Sequence, residues 1–236
     1  MINLVKNEFY KVKYIKIVLS FIFYMVLLLL MNKYSDNDIK DLSFNLIPFI
    51  GIFTCLFFGG TINSEIDKGT FRYYLTKPTK RSKIYLSKIL SSFIYNYIST
   101  LLILSFTSII IFKIDLIYFS KYFTYAIPLY FLSSFIIYLS NKIKSTSFTI
   151  CLGVLLFCFS LLLFQILLDI HFKVVEFTFL PYLDFSLFDD KSSLKALNNE
   201  FNIRLSLKRG VVIDTFYTFI FYFIGSLSFM KRDIKS

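Results

Sequence analysis

The sequence predicts an all-α polytopic membrane protein, with six transmembrane helices, an N-terminal helix in the membrane interface and a cytoplasmic helix between the second and third spans. Three observations predict it. Of 236 residues, 56% are apolar and 20% aromatic, yet the formal charge is +11. The apolar residues fall into six blocks close to the roughly 17–25 residues that cross hydrocarbon. The charges lie between the blocks and differ in sign balance from one side to the other. No room is left for a soluble domain, so residues 1–236 read as one transmembrane domain.

The chain opens with Ile2, Val5, Phe9 and Val12 at helical spacing, and with Asn3, Asn7 and Lys11 on the other side. Such a segment lies along a membrane surface before turning into the first span. That span, 17–31, is short at about 22 Å, so Lys16 is expected to snorkel and let its neighbours join it. No small-residue cleavage site follows Met31, and the span is expected to be retained. The second span, 42–62, carries Pro48, Gly51 and the pair Gly59-Gly60, small residues that let a neighbouring helix approach or that line a path. The third, 89–112, contains Asn96 and several hydroxyl residues, to which no function is assigned. The fourth, 122–139, contains Pro128 and is expected to kink there.

The fifth span, 148–168, holds Cys151, Cys158 and Gln165; the sixth, 211–230, holds Asp214 near its outer end. An acid at a helix N-terminus suits the backbone dipole, so Asp214 is expected to be solvated there. The external segment 169–210 is long enough to be functional. Its aromatic first half is expected to dip back toward the membrane. Its second half has Leu194, Leu197 and Phe201 at helical spacing.

Between spans two and three lies an island of charge, residues 64–88, reading SEIDKGTFRYYLTKPTKRSKIYLSK. Ser64 is expected to cap a short helix whose first turn holds Glu65 and Asp67. Pro78 disfavours helix in Lys77 and ends it, and a second helix starts near Thr79 or Ser82. This island, the N-terminal helix, the turn holding Lys142 and Lys144, and the tail carry sixteen of the 26 Lys and Arg against four acids. The resulting +12 places that face and both termini in the cytoplasm by the positive-inside rule. Anionic headgroups account for the positive charge, and nucleic acid is not required as a partner.

Catalytic chemistry is missing from the sequence. There is no phosphate-binding Gly-x-x-x-x-Gly-Lys-Ser/Thr loop, no His-Glu-x-x-His and no Gly-x-Ser-x-Gly. The three cysteines sit inside apolar blocks and read as fillers. His171 stands alone without metal-ligand spacing. No catalytic residue, no metal site and no bound cofactor are expected.

The six spans, the amphipathic N-terminus and the first cytoplasmic loop together carry a family resemblance. That loop reads Glu65-Ile-Asp67-Lys-Gly69-Thr70, then Leu75-Thr-Lys-Pro78, then Arg81 and Lys88. It resembles the permease subunits of type-2 ATP-binding-cassette (ABC) exporters. Thr79 and Lys80 stand where relatives often have a small pair after the proline. The resemblance implies that Glu65, Asp67, Gly69, Thr70, Leu75, Pro78, Arg81 and Lys88 couple the chain to a separate ATPase. ATP and Mg would be bound by that partner, present in two copies, and a second permease copy would complete the pathway. The second and fifth spans would wall it, which makes Phe53, Phe57, Cys158 and Gln165 candidate path-lining residues. The implied cargo is an amphipathic or antimicrobial peptide, a toxin or a hydrophobic antibiotic, and the implied location the bacterial plasma membrane. Two alternatives stand beside this one: a substrate-capture membrane subunit of an importer, and an ATPase-independent peptide-immunity membrane protein.

Overall fold

Residues 1–12, 14–34, 44–69, 80–111, 116–170, 173–183, 188 and 191–231 are described by the computed structural model of the chain. Every regular element among them is helical. The order is α1 (Ile2–Val12), α2 (Tyr14–Tyr34), α3 (Ile47–Phe58), α4 (Thr61–Asp67), α5 (Arg81–Ile111), α6 (Leu116–Tyr125), α7 (Ile127–Lys142), α8 (Thr146–Cys158), α9 (Ser160–Asp169), α10 (Lys191–Phe201) and α11 (Leu207–Lys231). Two 3-10 turns, Lys173–Phe177 and Leu180–Tyr182, lie between α9 and α10.

Among the described residues five stretches are long and apolar enough to cross a membrane: Tyr14–Met31, Ile47–Asp67, Arg81–Ile109, Phe119–Lys142 and Leu207–Lys231. The fifth predicted span is a helix pair, α8 and α9, bent by 65°. The sequence offers neither Pro nor Gly at that break. Instead Ser160, buried, donates its hydroxyl to the Phe157 carbonyl across the break at Phe159. Such back-bonding competes with the helical ladder.

Breaks elsewhere follow the sequence more directly. Pro48 and Pro128 both sit in the first turn of a helix, α3 and α7, where a missing N–H costs nothing. Span four is therefore two helices joined at Ala126, whose N–H bonds the carbonyls of Tyr122 and Phe123. The pair Gly59-Gly60 separates α3 from α4 in the same way.

The middle of the bundle is α7. Residues 131–137 are all buried, and this helix packs on α3, α5, α8 and α11. At Gly51 a Cβ would stand 2.6 Å from the Phe157 ring, so the small residue in span two brings α8 close; this is packing. The bundle's outer faces are apolar. Val18, Ile22, Val26 and Leu29 on α2, and Val212, Phe216, Phe219 and Phe223 on α11, form exposed stripes at helical spacing. Stripes of this extent require an apolar solvent, and a membrane location follows.

One end of the bundle collects α1, α4, the start of α5, the turn Ile143–Ser145 and the end of α11; it is the basic end. The opposite end is closed by the segment after α9. Phe179 packs its ring, tilted or edge-on, among Phe131, Phe135 and Tyr217 of α7 and α11. The aromatic first half of this segment thus packs back onto the helices. The helix read from Leu194, Leu197 and Phe201 is α10, ended by Asn202 at φ 51°, a left-handed cap that Asn tolerates.

Candidate functional site

Four ionisable side chains meet at the basic end where α1, α4 and α5 converge. Glu8 and Lys11 lie one turn apart on α1, Glu65 in the last turn of α4, and Lys88 two turns into α5. The Lys88 Nζ donates to Glu65 Oε1 at 2.6 Å and to Glu8 Oε2 at 3.2 Å. Lys11 donates to Glu8 Oε1 at 2.7 Å and also to Glu65 Oε1. Lys88 is fully buried and Glu65 is 4% exposed, whereas the Lys11 side chain keeps a third of its surface in solvent.

A buried charge persists only when paired and hydrogen-bonded, and each of these four has such partners. Burial pushes the Glu8 carboxyl up, but Lys88 and Lys11 beside it more than reverse this, so its pKa lies below the ordinary 4.5. Burial works against the Lys11 ammonium too, yet Glu8 and Glu65 outweigh it and raise its pKa. The arrangement fixes three chain segments to one point. Two of its members, Glu65 and Lys88, stand on either side of the stretch that joins spans two and three.

The predicted docking residues therefore divide. Glu65 faces inward and binds Lys88, contrary to a role on an exposed helix face. Ser64 is no N-cap, because α4 starts at Thr61 as the continuation of span two; its hydroxyl bonds the Thr61 carbonyl. Asp67, Lys68 and Gly69 are exposed. Gly69 adopts φ +67° and its N–H bonds the Ile66 carbonyl. It ends α4 as a left-handed cap, a conformation glycine takes without steric cost. Arg81 opens α5, close to the predicted start, and its guanidinium donates to the Met230 carbonyl at 3.1 Å. A cation there satisfies the free carbonyl end of α11. Thr70, Leu75 and Pro78 lie outside the described residues.

Of the candidate path-lining residues, Phe53 and Phe57 pack on rings of the same chain, Tyr24 and Tyr95. Cys158 and Gln165 are exposed on the outer surface of α8 and α9. All three cysteines are free. No cluster of three His, Cys, Asp or Glu side chains suited to a metal occurs among the described residues.

Two polar features inside the bundle were not singled out correctly by sequence. Asn96 joins three helices: its Oδ1 accepts from Thr54 at 2.6 Å, and its Nδ2 donates to the Leu129 carbonyl at 2.9 Å and to Ser133 at 2.8 Å. Asp214 is the second. The sequence places it at a solvated helix end, but α11 starts seven residues earlier, at Leu207, and Asp214 is fully buried. Neither carboxyl oxygen has a hydrogen-bond partner among the described residues. Near it stands Tyr182, whose hydroxyl, also without a partner among them, is pushed up to about 12, chiefly by burial.

The family described as a protein of unknown function (DUF2705) matches residues 36–235. The chain belongs to this family. Within the DUF2705 match fall Glu65, Lys88, the Asn96 hub and Asp214; Glu8 and Lys11 precede it. No match was found among curated proteins. A signal for Glu8 was present in the sequence all the same: it is the one acidic residue before Asp36, set in a basic helix.

Proposed function

We propose that this protein is the membrane subunit of an ATP-driven exporter, moved by a separate ABC ATPase that docks between spans two and three. The observation that carries the proposal is the buried quartet of Glu8, Lys11, Glu65 and Lys88. Whatever grips residues 70–79 pulls on chain that is tied on both sides, at Glu65 and at Lys88, to one point shared with α1. Displacement of that stretch then re-angles spans two and three and the N-terminal helix as a unit, because parting the ion pairs in a dry site is costly. A receptor of motion needs this stiffness. With no nucleotide-binding motif of its own, the chain takes its energy from its partner.

On this reading the basic end faces the cytoplasm of a bacterial cell, and two copies of the chain pair with two ATPases. The cargo crosses between the copies. Amphipathic or toxin peptides and hydrophobic antibiotics suit spans that carry so little charge.

The inward position of Glu65 decides how the proposal is tested. Reversing Glu65 breaks the quartet and reports on stability. Asp67 and Lys68, exposed at the end of α4, are the residues to reverse for docking. The test is to purify the full chain from its native membrane and look for a stand-alone ATPase that co-purifies with it. Asp67→Lys with Lys68→Glu is expected to lower ATPase recovery and export while membrane insertion stays intact. Unchanged export in that variant, or protection against peptide in cells lacking the ATPase, overturns the proposal.

A further inference from the structure

At the basic end a second feature remains unexplained by coupling. A cleft of about 280 Å³ opens between the start of α2, the α3–α4 junction and the start of α8. Its lining is layered. Lys16, Thr61, Ser64 and Thr146 stand at the helix ends; Leu56, Phe57 and Ile150 lie one to two turns further into the bundle. Leu56 is 46% exposed, so the apolar layer is open to the membrane side.

The polar layer has a definite hydrogen-bonding character. Lys16 is exposed and makes no ion pair among the described residues; the neighbouring Lys11 is already held by Glu8 and Glu65. The Thr146 hydroxyl makes no hydrogen bond among the described residues and is a free donor. Thr61 and Ser64 give their protons to the carbonyls of Phe58 and Thr61, which leaves their oxygens as acceptors. One cation and one hydroxyl donor fit a phosphodiester anion, and two hydroxyl acceptors beside them fit a polyol.

We infer that this cleft binds an anionic phospholipid with a glycerol headgroup, its phosphate against Lys16 and Thr146 and its acyl chain along Leu56, Phe57 and Ile150. Charge complementarity selects the anion. The depth order of the lining selects an amphiphile over a free phosphate. The inference rests on membrane embedding alone and not on the export reading, since lipid retention needs no ATPase.

The test is native mass spectrometry of the purified full chain with phosphatidylglycerol and with phosphatidylcholine of the same acyl chains. The wild type is expected to retain phosphatidylglycerol preferentially. Lys16→Gln should lower that retention about fivefold, the weight of one lysine near an anionic surface. Thr146→Val should lower it by a comparable factor, and Lys16→Arg should restore it. Lys6→Gln, on α1 but away from the cleft, should leave it unchanged. Lys6 and Lys16 are exposed and Thr146 is half-buried, and elution of the variants on size exclusion checks that they fold. Equal retention of both lipids, equal losses in Lys6→Gln and Lys16→Gln, or a dimer that carries no lipid all overturn the inference; the last would mean that a second copy covers the cleft.

Discussion

Replacing Lys88 by Met removes the one cation of the quartet that has no access to water. The side chain is nearly isosteric, so the change is electrostatic and leaves packing in place. At an effective dielectric near 20, contacts of 2.6 and 3.2 Å correspond to about 6 and about 5 kcal/mol of attraction. The cost of drying an ammonium offsets much of this. What stays behind is two buried carboxylates that have lost their buried cation, and removing one partner of a buried ion pair destabilises by about 3–5 kcal/mol. For a chain of this size that corresponds to a fall in Tm of roughly 6–20 °C. Heating followed by size-exclusion detection of a fluorescent fusion measures it in detergent. The double variant Lys88→Met with Glu65→Met should recover most of the loss, because an apolar pair of similar volume replaces a buried ion pair at little net cost. A Lys88→Met protein that melts within about 2 °C of wild type, or a double variant no better than the single, refutes the reasoning.

Further predictions follow from the same contacts. Glu8, with its pKa held low in the folded state, stabilises above its ordinary 4.5, and that contribution disappears as the pH falls through the folded value. Tm should therefore drop on acidification below about 4.5, and a Glu8→Gln protein, less stable at neutral pH, should show a shallower acid limb. Lys11 has the opposite sign: its raised pKa gives stability at all pH values below the ordinary 10.5, lost only as pH rises through the still higher folded value. Asn96→Ala removes the three bonds that join α5 to α3 and α7, while Thr54 keeps the Ile50 carbonyl and Ser133 keeps the Leu129 carbonyl and the Ser92 hydroxyl; at roughly 0.6–1.7 kcal/mol per bond it should cost about 2 kcal/mol, measured by the same melt. Gly69→Ala meets open space but forces a Cβ into the left-handed region. About 1 kcal/mol of strain is expected, read as increased protease cleavage between spans two and three with little change in Tm.

Hydropathy made the helical membrane fold legible because burial in lipid is a property of long stretches. Tyr14–Met31, Phe119–Lys142 and Leu207–Lys231 cover three of the blocks read from composition. Proline chemistry made the break before Pro128 legible. Neither signal says which polar residue is buried. Glu65 and Asp67 are two residues apart, and only the approach of Lys88 and Glu8 from distant parts of the chain turns the first inward and leaves the second exposed. Asp214 was misplaced for a related reason. Hydropathy begins the last span at Val211, but backbone hydrogen bonding ignores polarity and carries the helix back through Lys208 and Arg209 to Leu207. Arg209 then pairs with Glu176 at 3.7 Å, and Asp214 lies two turns inside the bundle. The weight of Asn96 was likewise invisible, since an amide in a span gains meaning only from what α3 and α7 place beside it. The 65° bend at Phe159 had no Pro or Gly to announce it.

The proposed exporter role requires that the stretch between Glu65 and Lys88 receive force from another polypeptide. The direct measurement is ATP hydrolysis and cargo movement in vesicles containing the full chain and the proposed ATPase partner, wild type against Asp67→Lys with Lys68→Glu. The account predicts that wild-type vesicles move cargo only while ATP is hydrolysed, and that the reversed variant hydrolyses ATP without moving cargo. Cargo movement by the chain in vesicles with no ATPase would contradict it.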